Sequence, residues 1–113
     1  MTTPTSWARA AAKTLASVHR FSAPLWEMKS EGSWVFLTLP QEVADEIRSV
    51  PREPRPGFGS LRVEATIGGT VWRTSIFPES GVRSFVLPVK KAVRAAEGVD
   101  VPDTVDVTIE LLD

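Results

Sequence analysis

Residues 61–76, LRVEATIGGTVWRTSI, alternate apolar and polar side chains on either side of a glycine pair, a pattern that suits an antiparallel hairpin and not a helix. In an extended strand successive side chains point to opposite faces, so Leu61, Val63, Ala65 and Ile67 share one face and Arg62, Glu64 and Thr66 the other. Gly68-Gly69 accepts the positive backbone dihedrals of a tight two-residue turn. With those two residues as the whole loop, Ile67 pairs with Thr70, Ala65 lies opposite Trp72, and Glu64 lies opposite Arg73. Trp72, Thr74 and Ile76 then complete the inward face, while Arg73 meets a carboxylate on the outward one. An exposed cross-strand ion pair contributes only about 0.2–1 kcal/mol, yet it explains Arg73 without a ligand.

Further strands follow from the same alternation. In RFSAPLWEMK, residues 20–29, Phe21, Ala23 and Leu25 alternate with Ser22, Pro24 and Trp26. Pro24 cannot donate to a ladder and predicts an edge or a bulge. SWVFLTL (33–39) is apolar on both faces, which predicts a strand covered on each side. SFVLP (84–88) is a further strand, and TVDVTIELL (104–112) sets Val105, Val107, Ile109 and Leu111 inward against Asp106, Thr108 and Glu110.

Three helices are predicted between and before the strands. Ser6 to Arg20 opens on a Ser6 or Thr5 cap, with Trp7, Ala11, Leu15 and Val18 on one face and Arg9, Lys13 and Ser17 opposite. This short, alanine-rich basic helix is read as docked on its own domain or partly frayed, rather than laid on a membrane surface. Pro40 opens Gln41 to Val50, with Val43, Ile47 and Val50 inward and Glu42, Asp45, Glu46 and Arg48 outward. Pro88 opens Val89 to Glu97, with Val89, Ala92, Val93 and Ala96 inward and Gly98 closing it in the left-handed region. Residues 51–60, PREPRPGFGS, read as a stiffened connector; the spacing Pro51-x-x-Pro54 would also suit a polyproline-reading partner.

At 113 residues the chain is sized for one core. Its 13 basic and 14 acidic side chains leave a net charge of −1, which argues against nucleic acid as a partner. The charge is unevenly placed: residues 1–25 carry Arg9, Lys13 and Arg20 without a carboxylate, and the last fourteen carry Asp100, Asp103, Asp106, Glu110 and Asp113 without a base. Absence of cysteine removes disulfides, thiolate nucleophiles and cysteine-ligated zinc. No run approaches the roughly 18 apolar residues of a membrane span, and the first residues lack the apolar core of a secretory signal. The expectation is a cytoplasmic protein with no membrane partner.

Catalytic signatures are sparse. His19 is the one histidine, placed at the junction of the first helix and first strand, and Ser60 in GFGSL lacks both the nucleophile-elbow pattern and a nearby base. No second His or Cys exists to complete a metal site, and Asp106 and Glu110, though on one face, lack a calcium-loop signature. No catalytic residue, metal or cofactor is therefore assigned. The best candidate is cationic: Lys90 and Arg94 lie four apart with Lys91 adjacent, a like-charge arrangement that costs a few tenths of a kcal/mol, by order of magnitude, unless an anion relieves it. Their place at a predicted helix start favours an anion further. Pairing of Arg94 with Glu97, or of the cluster with the acidic last strand, would instead make this a solvated face.

Several stretches together carry a resemblance: LP closing a strand, V-x-A-T-I-G-G-T-V-W-R-T-S-I-F-P, V-L-P-V-K-K-A-V-R-A-A-E-G, and D-x-V-x-V in the last strand. From about Phe21 to Leu112 the chain resembles the bacterial domain-of-unknown-function family nineteen-oh-five. The resemblance implies a mainly β fold, a single closed or split β-barrel of six strands with two short helices, related in shape to double-split barrels. Some bacterial proteins carry that fold with an appended bacteriocin-protection-associated domain. It divides the chain into an N-terminal helical extension, residues 1–20, and a barrel domain, residues 21–113. The family usually has Gly-Asp entering the last strand where this chain has Pro102-Asp103, so that turn must be rebuilt locally. The family brings no activity with it.

The leading functional reading is a non-enzymatic binding module presenting Lys90, Lys91, Arg94 and Arg73, with Trp72 or Trp26 nearby, to an anionic small molecule or an acidic partner segment. A structural or regulatory role through self-association, as a homodimer paired across the edge that Pro24 marks, stands beside it. Third comes an enzyme using lysine or carboxylate chemistry.

Overall fold

The computed structural model describes residues 18–29, 32–49, 59–79, 81 and 83–112. Among these the chain runs β1 (Val18–Lys29), β2 (Ser33–Thr38), α1 (Gln41–Ser49), β3 (Leu61–Ile67), β4 (Thr70–Glu79), β5 (Ser84–Pro88), α2 (Lys91–Glu97) and β6 (Thr104–Leu111). The strands close into a barrel in the order β1-β2-β5-β4-β3-β6. Of the two forms the resemblance allows, closed or split, the ring takes the closed one, and every neighbour pair in it is antiparallel.

The hairpin has the register that its sequence demands, with Ile67 opposite Thr70, Ala65 opposite Trp72 and Glu64 opposite Arg73. Of its two turn glycines only Gly68 takes a positive φ, +58°, so one such dihedral closes the turn rather than two. Two long strands form the barrel's corners. Residues 18–24 of β1 pair with β6 and residues 25–29 with β2. Likewise β4 pairs with β3 over residues 70–76 and with β5 over residues 77–79.

Pro24 stands where β1 passes from one partner to the other: it lies opposite Thr104, and the next amide, of Leu25, donates to the Asp103 carbonyl at 2.9 Å. It therefore marks a corner and not an edge, because each of the six described strands has a neighbour on both sides.

Alternation built the core as expected on β3 and β6, where Val63 and Ile109 are fully buried. Val43, Ala44 and Ile47 of α1 join that core, leaving Glu42, Asp45, Glu46 and Arg48 exposed. Val50, expected to end that inward stripe, lies outside the described residues, as do residues 51–58 of the connector.

Four expectations are corrected. Val18, His19 and Arg20 belong to β1, not to a helix, because His19 continues the inward phase of Ala23 and Leu25 and is itself buried; residues 6–17 of that predicted helix lie outside the described residues. β2 is covered on one face only, since Val35 and Leu37 are buried while Trp34 is 56% exposed and Phe36 half-buried. α2 begins at Lys91, because Pro88 still belongs to β5 and the Val89 amide is held by the Val35 carbonyl at 2.9 Å. Within α2 only Val93 is buried; Ala92 and Ala96 face solvent, since a helix of seven residues lying on the barrel offers it a single turn's worth of contact.

Gly98 ends α2 in the left-handed region, φ 65° and ψ 36°, as expected. The turn that carries Pro102 is rebuilt from aspartates. Asp103 donates its amide to the Asp100 carbonyl at 2.7 Å and accepts the Asp100 amide on Oδ2 at 3.0 Å, around a cis Val101–Pro102 peptide.

Candidate functional site: a cationic cleft beside an apolar groove

The site arises where β5 hands the chain to α2. Pro88 lies opposite Phe36 of β2, and the Val89–Val35 hydrogen bond keeps the connector on that strand for one more residue. Lys90 and Lys91 consequently emerge beside Ser33, Trp34 and Val35, facing Trp72, Arg73 and Thr74 across a cleft of about 530 Å³. Buried Val35, Trp72 and Val89 line it from below, and the cations stand at its rim.

All five residues singled out from the sequence, Lys90, Lys91, Arg94, Arg73 and Trp72, line this one cleft. Their states differ. Lys90 and Lys91 are exposed, and neither has an ion-pair partner among the described residues. Arg73 is 67% exposed and lies 3.6 Å from Glu64 through Nε, the cross-strand pair that the hairpin register anticipates. Arg94 is largely buried, its side chain 18% exposed; Nε donates to the Val89 carbonyl at 3.2 Å and Nη1 to Asp100 Oδ1 at 3.3 Å. It braces the connector against the loop after α2, which orients the two lysines more than it offers charge of its own.

Glu97 does not pair with Arg94. It turns instead to the hairpin, where Oε2 accepts the Thr70 hydroxyl and the carboxylate lies over Gly68. The last strand does not neutralise the lysines either: Asp106 accepts the Ser22 hydroxyl, and Glu110 lies opposite Val18 on one side and Glu64 on the other. Lys90 holds the cap position of α2 with an extended backbone, φ −71° and ψ 160°, and no side chain caps the helix. With seven residues the helix has about two turns, so the charge at the site is that of the side chains and not of aligned peptide dipoles.

Trp26, the alternative aromatic neighbour, is elsewhere. Its indole donates to Thr38 Oγ1 at 2.9 Å and packs on Phe36 at 5.2 Å between ring centroids. The tryptophan that does join Trp72 in the cleft is Trp34, which sequence reading assigned to a covered face. The signal was present in SWVFLTL: both faces are apolar, and one of them is open.

That open face continues into a second concavity of about 730 Å³, which shares Trp34, Thr74 and Pro88 with the cleft and extends over Phe36, Phe77 and Met28. Away from both, His19 is buried with Nδ1 3.1 Å from Glu46 Oε1, while its Nε2 has no partner. No serine or second histidine adjoins it to make a catalytic set among its recorded partners. Among the described residues no group of three or more His, Asp or Glu side chains is placed to hold a metal ion, and no helix is long and apolar enough to cross a membrane.

A family model, that of the Domain of unknown function (DUF1905), matches residues 21–109. No curated protein matches the chain.

Proposed function

Since the chain belongs to the DUF1905 family, whose description assigns no activity, we propose from the cleft itself that this protein is a non-enzymatic module binding an anionic small molecule. The observation that carries the reading is the pair Lys90 and Lys91, exposed, adjacent and without an ion-pair partner among the described residues, at the rim of a cleft lined below by Trp72, Val35 and Val89. Two like charges lining one cleft raise its positive potential, and a phosphate or carboxylate bound there is favoured by charge-assisted hydrogen bonds. Arg73, paired with Glu64, stands on the opposite wall, and Arg94 braces the connector that carries the lysines.

Titrating inorganic phosphate and acetate into the labelled protein, followed by two-dimensional amide NMR, tests this. The amides of residues 89–95 and the Trp72 indole are expected to shift saturably, and the shifts to vanish in Lys90→Glu/Lys91→Glu. Unmoved signals at millimolar anion would refute the reading.

A further inference from the structure

Resting on that reading, we propose that the anion is the head of a single-chain amphiphile, a carboxylate or phosphate carrying an unbranched apolar tail that lies in the groove beside the cleft. An antiparallel sheet with one face on the core normally turns polar side chains to water on the other. Here part of the outer face departs from that rule. Met28, Trp34 and Phe77 are 46%, 56% and 41% exposed, and with Phe36, Val86 and Pro88 they line a single groove.

The strand register makes the groove continuous. Met28 lies opposite Trp34, Phe36 opposite Pro88, and Val86 opposite Phe77, so the apolar stripe steps across β1, β2, β5 and β4 without a break. Three inter-strand spacings make it about 14 Å wide. Thr74 and Ser75 are its polar lining residues, and among the described residues none of its lining side chains is charged. Elsewhere the outer surface carries charges such as Arg62, Arg73, Asp106 and Glu110.

The groove and the cationic cleft share Trp34, Thr74 and Pro88, so a ligand whose head sits at Lys90 and Lys91 has its next atoms over Trp34. Their volumes, about 730 and 530 Å³, match small-molecule sites, which span about 300–1,000 Å³. A membrane surface is the poorer occupant. Headgroup-binding faces gather about four to eight basic residues, whereas this rim offers two unpaired lysines and an arginine already beside Glu64.

The test is a homologous series, butanoate, hexanoate, octanoate and decanoate, with acetate and inorganic phosphate as heads without tails and 1-octanol as a tail without charge. Dissociation constants come from calorimetry, and the Trp34 indole signal from NMR. We expect affinity to rise about two- to fourfold per methylene, the upper figure being the 0.8 kcal/mol of a fully buried CH₂. Met28→Ser/Phe77→Ser, both at exposed positions that line the groove and not the cleft, is expected to abolish the dependence on chain length and leave phosphate binding intact. Lys90→Glu/Lys91→Glu is expected to abolish both.

A flat series with saturable acetate or phosphate binding overturns the tail and leaves the anion site standing. No binding of any anion overturns both readings together. Octanol binding as tightly as octanoate removes the head from the proposal. Binding only to anionic vesicles, with none to monomeric alkanoates, assigns the face to a membrane and refutes it. So does a dimer in light scattering that Met28→Ser/Phe77→Ser dissociates, because the groove is then filled by a second copy.

Discussion

Replacing Gly68 by alanine probes the contact that joins the hairpin to α2, and Gly98 provides its control. Both glycines lie in the left-handed region, at φ +58° and +65°. A Cβ on Gly98 would meet nothing within 4 Å, whereas one on Gly68 would overlap Glu97 Oε1 and stand 2.8 Å from its Cδ. The backbone term is common to the two: about 1–2 kcal/mol for a left-handed L-residue, offset by about 0.4–1 kcal/mol from the stiffer unfolded chain. Gly98→Ala is therefore expected to cost about 1 kcal/mol.

Gly68→Ala must in addition push the Glu97 carboxylate aside. The carboxylate is the end of a flexible side chain, so the price is the Thr70–Glu97 hydrogen bond rather than a backbone shift, a further loss of about 0.5–1.5 kcal/mol. In a Glu97→Ala background that extra loss is already incurred, and Gly68→Ala should fall to the Gly98→Ala value. Urea unfolding followed by tryptophan fluorescence measures all four variants. If Gly68→Ala equals Gly98→Ala in the parent protein and adds fully to Glu97→Ala, the carboxylate does not lie over the turn, and the two walls of the cleft are not tied together there.

Two further expectations concern the same scaffold. Arg94→Ala should destabilise by about 1–3 kcal/mol, because the Val89 carbonyl loses its Arg94 Nε donor and Asp100 its ion-pair partner, while exposed Lys91→Ala stays within about 0.5 kcal/mol of the parent; equal losses in urea melts would contradict the bracing role. Ile109→Ala, at a fully buried position, should cost about 2–5 kcal/mol, against about 0.5 kcal/mol or less for neighbouring Glu110→Ala, and a small Ile109 effect by the same measurement would place β6 outside the core.

Legibility varied with how local the determinants are. The hairpin register was readable because period two and a two-residue turn fix it within sixteen residues. Lys90, Lys91 and Arg94 could be grouped from sequence because they are near neighbours in it, whereas the hairpin wall across from them comes from tertiary packing. What the sequence concealed was set by tertiary pairing. Pro24 reads as an edge residue until β1 is seen to change partners beside it. Glu97 reads as a partner of Arg94 because they lie three apart, whereas the hairpin turn lies nearer to its carboxylate. Trp34 and Phe36 read as buried, since apolar residues on both faces of a strand fit a doubly covered sheet as well as an open one; local pattern carries no information on which elements arrive to cover it.

The two corner strands explain why charge and apolar surface meet at one place. β4 pairs with β3 up to Ile76 and with β5 from Phe77, so Arg73 stands before the handover and Phe77 after it, on one continuous strand. β5 is only five residues long and ends at Pro88, which lies opposite Phe36 and lines both concavities. The connector that follows turns Val89 into the core and leaves Lys90 and Lys91 outside. A longer β5 would carry the lysines past the end of the groove. A polar residue in place of Trp34 would separate the cleft from it, because Trp34 is the largest side chain the two concavities share.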